Sequence, residues 1–239
     1  MHSSYKLTVI VPFYNEQKFL KASVGRLLKI KTHCEIILVD DASTDNSNFI
    51  AEQLVLNNKN VQLFTLNQNY GKGEAIKHAL NYVTTKYVVV HDADMEYNPI
   101  DLDTMFNTIL NSPNSLILGS RTIGNIDRVK LYKIPYFGNK ILTILFSILN
   151  NYKLSDIASC YWMLQTEDLK KLNIQEKGFC IEVEVLSKYL SINKKIIEIP
   201  INYQGRTYED GKKIKFKDGV LIFIKILKYS KLKNFFLRN

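Results

Sequence analysis

The stretch His91-Asp92-Ala93-Asp94-Met95-Glu96 sets three carboxylates at alternate positions, directly after the apolar run Tyr87-Val88-Val89-Val90. That run reads as a fully buried strand. Two carboxylates two residues apart at its mouth repel each other and cost desolvation energy. A divalent cation is the usual compensation, and all-oxygen ligation suits Mg²⁺ or Mn²⁺. Such a cation keeps waters and takes its remaining oxygens from a substrate diphosphate. An Asp-x-Asp alone is equally an acidic loop end in solvent, so the argument rests on the polar groups that accompany it.

The elements that position these acids alternate strand and helix. Leu7 to Val11, Glu35 to Val39, Val61 to Leu66, Tyr87 to Val90 and Ser115 to Leu118 read as strands. Between them, Ser43 or Thr44 is placed to cap a helix that turns Phe49, Ile50 and Leu54 to a core. Gly71 to Val83 carries Ala75, Ile76, Ala79 and Leu80 on one helical face, and a further helix starts near Pro99. Repeated strand–helix units predict a parallel, doubly wound α/β sheet with ligands at the carboxyl ends of its strands. Tyr14-Asn15-Glu16, Asp40-Asp41, Asn67 to Lys72, the acid stretch and Arg121 all fall at such ends. Five polar strand exits on one rim predict a binding crevice.

Beyond Arg121 the pattern changes. Tyr136 to Leu149 is apolar almost all round, with Lys140, Thr143 and Ser147 as a thin polar line. A strand at Cys160 to Leu164, a helix around Gly178 to Leu190 and a strand at Ile196 to Tyr203 follow. The last helix, from about Asp218, sets Val220, Phe223, Ile224 and Leu227 at helical spacing, with Lys225, Lys228 and Lys231 elsewhere. It reads either as a helix packed on the core with a solvated lysine face or as a basic amphipathic helix in a membrane interface.

The net charge of +9 is unevenly placed, since nine Lys/Arg against Asp218 alone lie from Lys212 onward. A basic tail suits nucleic acid, an acidic membrane surface or a phosphorylated ligand. Aliphatic residues at helical spacing make a poor stacking platform, which argues against nucleic acid. No apolar run reaches the ~20 residues that span a bilayer, and no secretory leader is expected. Three cysteines without metal-type spacing predict reduced thiols and a cytoplasmic setting.

Val11-Pro12-Phe13-Tyr14-Asn15-Glu16, Val39-Asp40-Asp41-Ala42-Ser43-Thr44-Asp45 and Asp92-Ala93-Asp94 resemble inverting glycosyltransferases of family 2, which have a GT-A fold. Gly119-Ser120-Arg121, Gly138-Asn139-Lys140, Leu154-Ser155-Asp156, Glu182/Glu184 and Pro200 to Lys212 resemble the dolichyl- or polyprenyl-phosphate mannose or glucose synthase branch. The resemblance implies one glycosyltransferase domain over 1–239, with a nucleotide-sugar half (1–121), an acceptor half (122–211) and a basic amphipathic tail (212–239). It implies that Pro12, Tyr14, Glu16, Val39 and Asp41 hold the base and ribose of a nucleotide-sugar donor. Asp92, Ala93 and Asp94 would flank the diphosphate. Asp94 and Glu96, with Asp92 beside them, would hold Mg²⁺ or Mn²⁺. Arg121, Arg206 and Lys212 would meet phosphate charge, and forked Arg donors suit that task.

The implied reaction is in-line transfer of a hexose from a UDP- or GDP-sugar to polyprenyl phosphate. The enzyme would lie peripherally on the cytoplasmic membrane face or be bound to a membrane partner. A lipid phosphate is already an anion. A glycan hydroxyl, the alternative acceptor, needs a carboxylate base, for which Glu184, Glu182 and Asp156 are candidates. The chain departs from that branch at Cys160-Tyr161-Trp162-Met163, where a basic residue is usual, and at Leu131 and Pro135, where Lys130 and Lys133 are the nearby cations. No Gly-x-Gly-x-x-Gly follows the first strand, which argues against a dinucleotide oxidoreductase. A catalytically weak scaffold would have no need of the complete set Asp92, Asp94, Arg121 and Arg206.

Overall fold

The apolar runs form strands β1 (Leu7–Phe13), β2 (Cys34–Asp40), β3 (Val61–Thr65), β4 (Tyr87–Val90), β5 (Ser115–Ser120), β6 (Trp162–Gln165) and β7 (Lys195–Pro200). The computed structural model describes residues 6–124, 133–205 and 216–230. The strands make one sheet in the order β3-β2-β1-β4-β6-β5-β7. Neighbours run parallel, except that β6 is antiparallel to both β4 and β5. The strand–helix alternation does not foretell this reversal, because β6 enters the sheet from the rim where the parallel strands end. Its approach brings Cys160 and Tyr161 to that rim.

Helices α1 (Leu20–Leu27), α2 (Ser47–Asn57) and α4 (Asp101–Asn111) cover one face. There Val9, Val11, Ile36, Leu38 and Val89 pack with Leu20, Val24, Leu54 and Met105. On the other face lie α3 (Lys72–Leu80), α5 (Lys133–Asn150), α6 (Thr166–Lys171), α7 (Ile181–Ser191) and α8 (Phe216–Tyr229). Ile10, Ile37, Val39, Val88 and Val90 meet Ala75, Ile76, Phe146, Val185 and Ile226 on that side. Strand period two thus feeds both layers, which is why the central strands read as unbroken apolar runs.

Two expectations are corrected. α2 begins at Ser47 and has no side-chain cap; Ser43 and Thr44 instead bind Asn15 across the rim. Phe49 points outward, 60% exposed, because the buried stripe of α2 runs through Ser47, Ala51 and Leu54, and Phe49 lies on the opposite side of the helix. On α5, Thr143 of the thin polar line is buried, and Phe137, Ile141, Ile144 and Ile148 are exposed. α8 likewise turns Val220, Phe223, Ile224 and Leu227 outward and buries Ile226. No helix among the described residues is long and apolar enough to cross a membrane.

Candidate active site

The exits of β1 and β2 are laced together. Asn15, in a left-handed conformation (φ 53°), donates its backbone N–H to Ser43 Oγ (3.0 Å) and accepts from the Thr44 N–H (2.8 Å). Glu16 N–H binds Ser47 Oγ at 2.7 Å. Asp40 accepts from Ser43 N–H and Asn48 Nδ2, each at 2.8 Å. Asp41 accepts the backbone N–H groups of Tyr70 and Gly71, both at 2.8 Å, and so pins the loop that leaves β3. Burial nevertheless raises its carboxyl pKa, against those two bonds.

Across the sheet centre the acid stretch leaves β4. His91 is buried, with Nε2 3.0 Å from Ser23 Oγ and Nδ1 2.7 Å from the Tyr161 hydroxyl. Burial lowers its pKa to about 4, so it is a neutral strut between α1 and the start of β6. Asp92 is held by Lys72 Nζ, 2.8 Å from Oδ1 and 3.1 Å from Oδ2. The same ammonium lies 2.8 Å from Glu182 Oε1 on α7. Burial alone favours neutral Lys72 and protonated Asp92, but their mutual attraction outweighs it. Lys72 is held well above, and Asp92 below, its ordinary pKa. Asp94 accepts the Glu96 N–H at 3.1 Å, across Met95 at φ 67°.

Glu96 accepts the Tyr203 hydroxyl at 2.5 Å, and Gln204 N–H binds the Glu96 carbonyl at 2.8 Å. Asn202, just past β7, binds Asp101 through both its N–H and its amide. The acid loop is therefore clipped to the segment after β7. Arg121 lies 4.9 Å above the Tyr203 ring and is gripped by Asp156, Nε to Oδ2 at 2.7 Å and Nη2 to Oδ1 at 2.9 Å. Asp156 also accepts from Arg121 N–H, Asn139 Nδ2 and Ala158 N–H. Burial raises its pKa, but Arg121 and the other donors more than offset this and hold it low.

These exits surround a cavity of about 380 Å³. Pro12, Tyr14, Glu16, Asp41, Asp92, Ala93, Asp94, Glu96 and Arg121, all expected at a site, line it. Val39 does not: it is fully buried in the core beneath α3. Nor do the candidate bases Asp156 and Glu184. Glu184 is fully buried and accepts from the N–H groups of Gln175 and Glu176 and from Lys188. Of the three candidate bases only Glu182 reaches the cavity. Arg206 and Lys212 lie outside the described residues.

Lys72, Tyr97, Cys160, Phe179 and Tyr203 also line the cavity, as do Asp218 and Ile222 of α8. The signal for Lys72 was a lysine bracketed by glycines at a strand exit. Gly71 has φ 97°, and a Cβ on Gly73 would sit 2.3 Å from the Glu176 carbonyl oxygen. Both glycines admit the 176–178 segment, whose Lys177 carbonyl accepts the Gly73 N–H at 2.6 Å.

As metal ligands, Asp92, Asp94 and Glu96 offer hard oxygens only, suited to Mg²⁺ or Mn²⁺. They form no closed cage: Asp92 faces Lys72, Glu96 faces Tyr203, and no group of three potential ligands gathers among the described residues. A cation that needs one or two carboxylates and completes its shell with water and diphosphate oxygens fits such a half-built site.

A doubly wound sheet whose carboxyl-end rim holds an acid-lined cavity at the order reversal is the GT-A glycosyltransferase architecture. The model of the family "Glycosyl transferase family 2" matches residues 8–172, and the chain belongs to that family. It is a glycosyltransferase. An uncharacterized protein of Methanocaldococcus jannaschii is 25% identical over 220 residues, covering 87% of this chain and 94% of that one. The fold is similar to glucosyl-3-phosphoglycerate synthase of Mycobacterium tuberculosis, with Mn²⁺, UDP and phosphoglyceric acid. That likeness has TM-score 0.71 and 14% identity, over 95% of this chain and 78% of that one. It is also similar to residues 1–349 of Staphylococcus aureus TarS with UDP-GlcNAc, with TM-score 0.63 and 20% identity over 94% and 67% of the two chains. The mannosyltransferase of Pyrobaculum calidifontis with GDP-Man and Mn²⁺ gives TM-score 0.60 and 17% identity, over 84% and 56%.

Proposed function

We propose that this chain transfers a hexose, with inversion, from a UDP- or GDP-linked sugar to a polyprenyl phosphate at a membrane surface. The observation that carries the donor half is the single cavity that sets Pro12, Tyr14, Glu16 and Asp41 opposite Asp92, Asp94 and Arg121. The first group suits a base and ribose, and the second a diphosphate. The nucleotides in the three fold neighbours support the same reading, and Mn²⁺ in two of them supports a metal. In this scheme residues 1–121 take the donor, 122–211 the acceptor, and 212–239 the membrane.

Asp94 would hold Mg²⁺ or Mn²⁺, with Asp92 and Glu96 beside it; when bound, the cation offsets the charge of the departing nucleoside diphosphate. Arg121 has Nε and Nη2 committed to Asp156 and lines the cavity, where its remaining donors would meet a phosphate oxygen. Arg206 and Lys212 would add positive charge to the same phosphates. An acceptor oxygen forms the new bond to the anomeric carbon from the face opposite the diphosphate. The old C–O bond breaks, and its electron pair leaves with the nucleoside diphosphate. A phosphate acceptor brings its own negative charge and needs no base.

The lipid half rests on the outward apolar rows of α5 and α8, beside a segment that carries +8 from Lys212 onward. A glycan hydroxyl is the second reading, favoured by Glu182, the one candidate base that lines the cavity. Turnover of UDP-glucose and GDP-mannose with Mn²⁺, with and without polyprenyl phosphate in detergent, separates the two. Lipid-dependent release of nucleoside diphosphate supports the lipid acceptor, and release indifferent to the lipid moves the assignment to a hydroxyl. Asp94→Ala abolishes metal-dependent turnover with the fold intact; unchanged turnover refutes the metal assignment.

A further inference from the structure

Tyr203 touches both of the groups that would bring positive charge to a diphosphate. Its hydroxyl donates to Glu96 Oε2 at 2.5 Å, and the Arg121 guanidinium lies over its ring, 4.9 Å from the centre. Glu96 follows β4 and Arg121 follows β5, and β6 stands between those two strands in the sheet. Tyr203, just past β7, spans that gap at the wall of the cavity.

The ring is itself fixed. Tyr97 meets it edge to face at 5.2 Å and pairs with it through an antiparallel backbone bridge. On either side, Asn202 is bonded to Asp101 and Gln204 N–H to the Glu96 carbonyl. The carboxylate that Tyr203 holds sits on a loop in need of a hold. Met95, between Asp94 and Glu96, has φ 67°, which a residue with a Cβ keeps only where its surroundings impose it. A phenol donor selects one rotamer of Glu96 and leaves the carboxylate further acceptor sites. Metal-ligating carboxylates held by such an outer hydrogen bond are oriented for the ion before it arrives. On the other side, Asp156 grips the edge of the Arg121 guanidinium, and the π face of Tyr203 attracts the same cation.

We propose that Tyr203 is a positioning residue with two separable parts: its hydroxyl sets Glu96 for the divalent cation, and its ring sets Arg121 for the diphosphate. This rests on the metal and diphosphate assignments above. It makes one side chain the link between the two sources of positive charge at the leaving group.

The test separates the hydroxyl from the ring. Mn²⁺ is titrated into wild type, Tyr203→Phe and Tyr203→Leu, with UDP or GDP present, and the free ion is followed by electron paramagnetic resonance. Affinity for the same nucleotide without metal is measured calorimetrically in EDTA. Tyr203→Phe should weaken Mn²⁺ by about tenfold or more and metal-free nucleotide by less than about twofold. Tyr203→Leu should weaken Mn²⁺ at least as much and metal-free nucleotide by about threefold or more. Tyr203→Phe keeps the ring and its packing on Tyr97, and it carries the test if Tyr203→Leu fails to fold. Unchanged Mn²⁺ affinity in Tyr203→Phe overturns the proposal, because the hydroxyl then only staples two segments. Equal loss of metal-free nucleotide in the two variants overturns it as well. A wild type that binds nucleotide no tighter with Mn²⁺ than without sinks the metal assignment itself, and the proposal with it.

Discussion

Replacing Asp156 by Asn removes one charge and one acceptor from the most densely bonded carboxylate of the site. Asp156 is fully buried and accepts five N–H groups, three of them from Arg121. The asparagine amide must turn an NH₂ toward at least two of those donors, whichever way it is flipped. Each buried donor left without an acceptor costs about 1–3 kcal/mol. Breaking a buried ion pair from one side costs about 3–5 kcal/mol, and the two figures agree. Chemical denaturation at neutral pH should therefore show Asp156→Asn less stable by about 3–5 kcal/mol. The pH dependence has a definite sign. Because the folded carboxyl is held below its ordinary value, its contribution is present above the unfolded pKa and is lost as pH falls through the folded one. The gap between wild type and variant should be flat from pH 8 to about 5 and narrow only in stronger acid. A loss below about 1 kcal/mol, or a gap that closes near neutrality, refutes the account of Asp156 as the anchor of Arg121.

Burial pushes the thiol of Cys34 up to about 12 and that of Cys180 up to about 11. At pH 8 their thiolate fractions are then about one in ten thousand and one in a thousand, so a disulfide reagent should label them only as fast as the protein unfolds. Rapid native-state labelling would contradict that. Gly73→Ala should destabilise by about 1–3 kcal/mol, because its Cβ meets the Glu176 carbonyl, whereas Gly138→Ala on α5 meets nothing and should be neutral or stabilising by up to about 1 kcal/mol. Equal melting shifts for the two would remove the packing explanation. Ile144→Ser with Ile148→Ser should leave the melting temperature nearly unchanged and weaken flotation with anionic liposomes, which should itself fall with added salt. Salt-independent flotation, or none by wild type, would leave the interfacial helices without support.

The sheet and its rim were legible because their signals are local. Buried strands read as apolar runs, and the polar residue just past each run is at the rim by construction of the fold. Asp92, Asp94, Glu16 and Arg121 were found this way. What the sequence hides is pairing over long separations. Lys72 and Glu182 are 110 residues apart, and nothing near either names the other. Asp156 and Glu184 read as candidate bases because acid type is visible in a sequence, whereas the five donors on one and the Gln175–Glu176 turn on the other are not. β6 reads as one more strand, since a four-residue strand carries no mark of its direction.

The two outward-facing helices show the same limit from the opposite side. A helical apolar stripe has the same period whether it meets the sheet or the outside, so spacing alone could not orient α5 or α8. Contacts decide it: Thr143 and Phe146 point inward on α5 and Ile226 on α8, while nine large apolar side chains of the two helices stay exposed. Each is roughly half exposed, so completing its burial would be worth about 1 kcal/mol, a gain the described fold does not take. The helices pack on each other, and Asp218 and Ile222 of α8 border the rim cavity. Any surface that covers the outer rows therefore lies next to that cavity. A bilayer would cover the apolar rows and attract the basic tail, and under the proposed function it would also deliver an acceptor whose reactive end is a phosphate. A soluble glycan would reach the same cavity but would leave the rows uncovered, and that difference makes α5 and α8, rather than the acid stretch, the place where the acceptor question is physically posed.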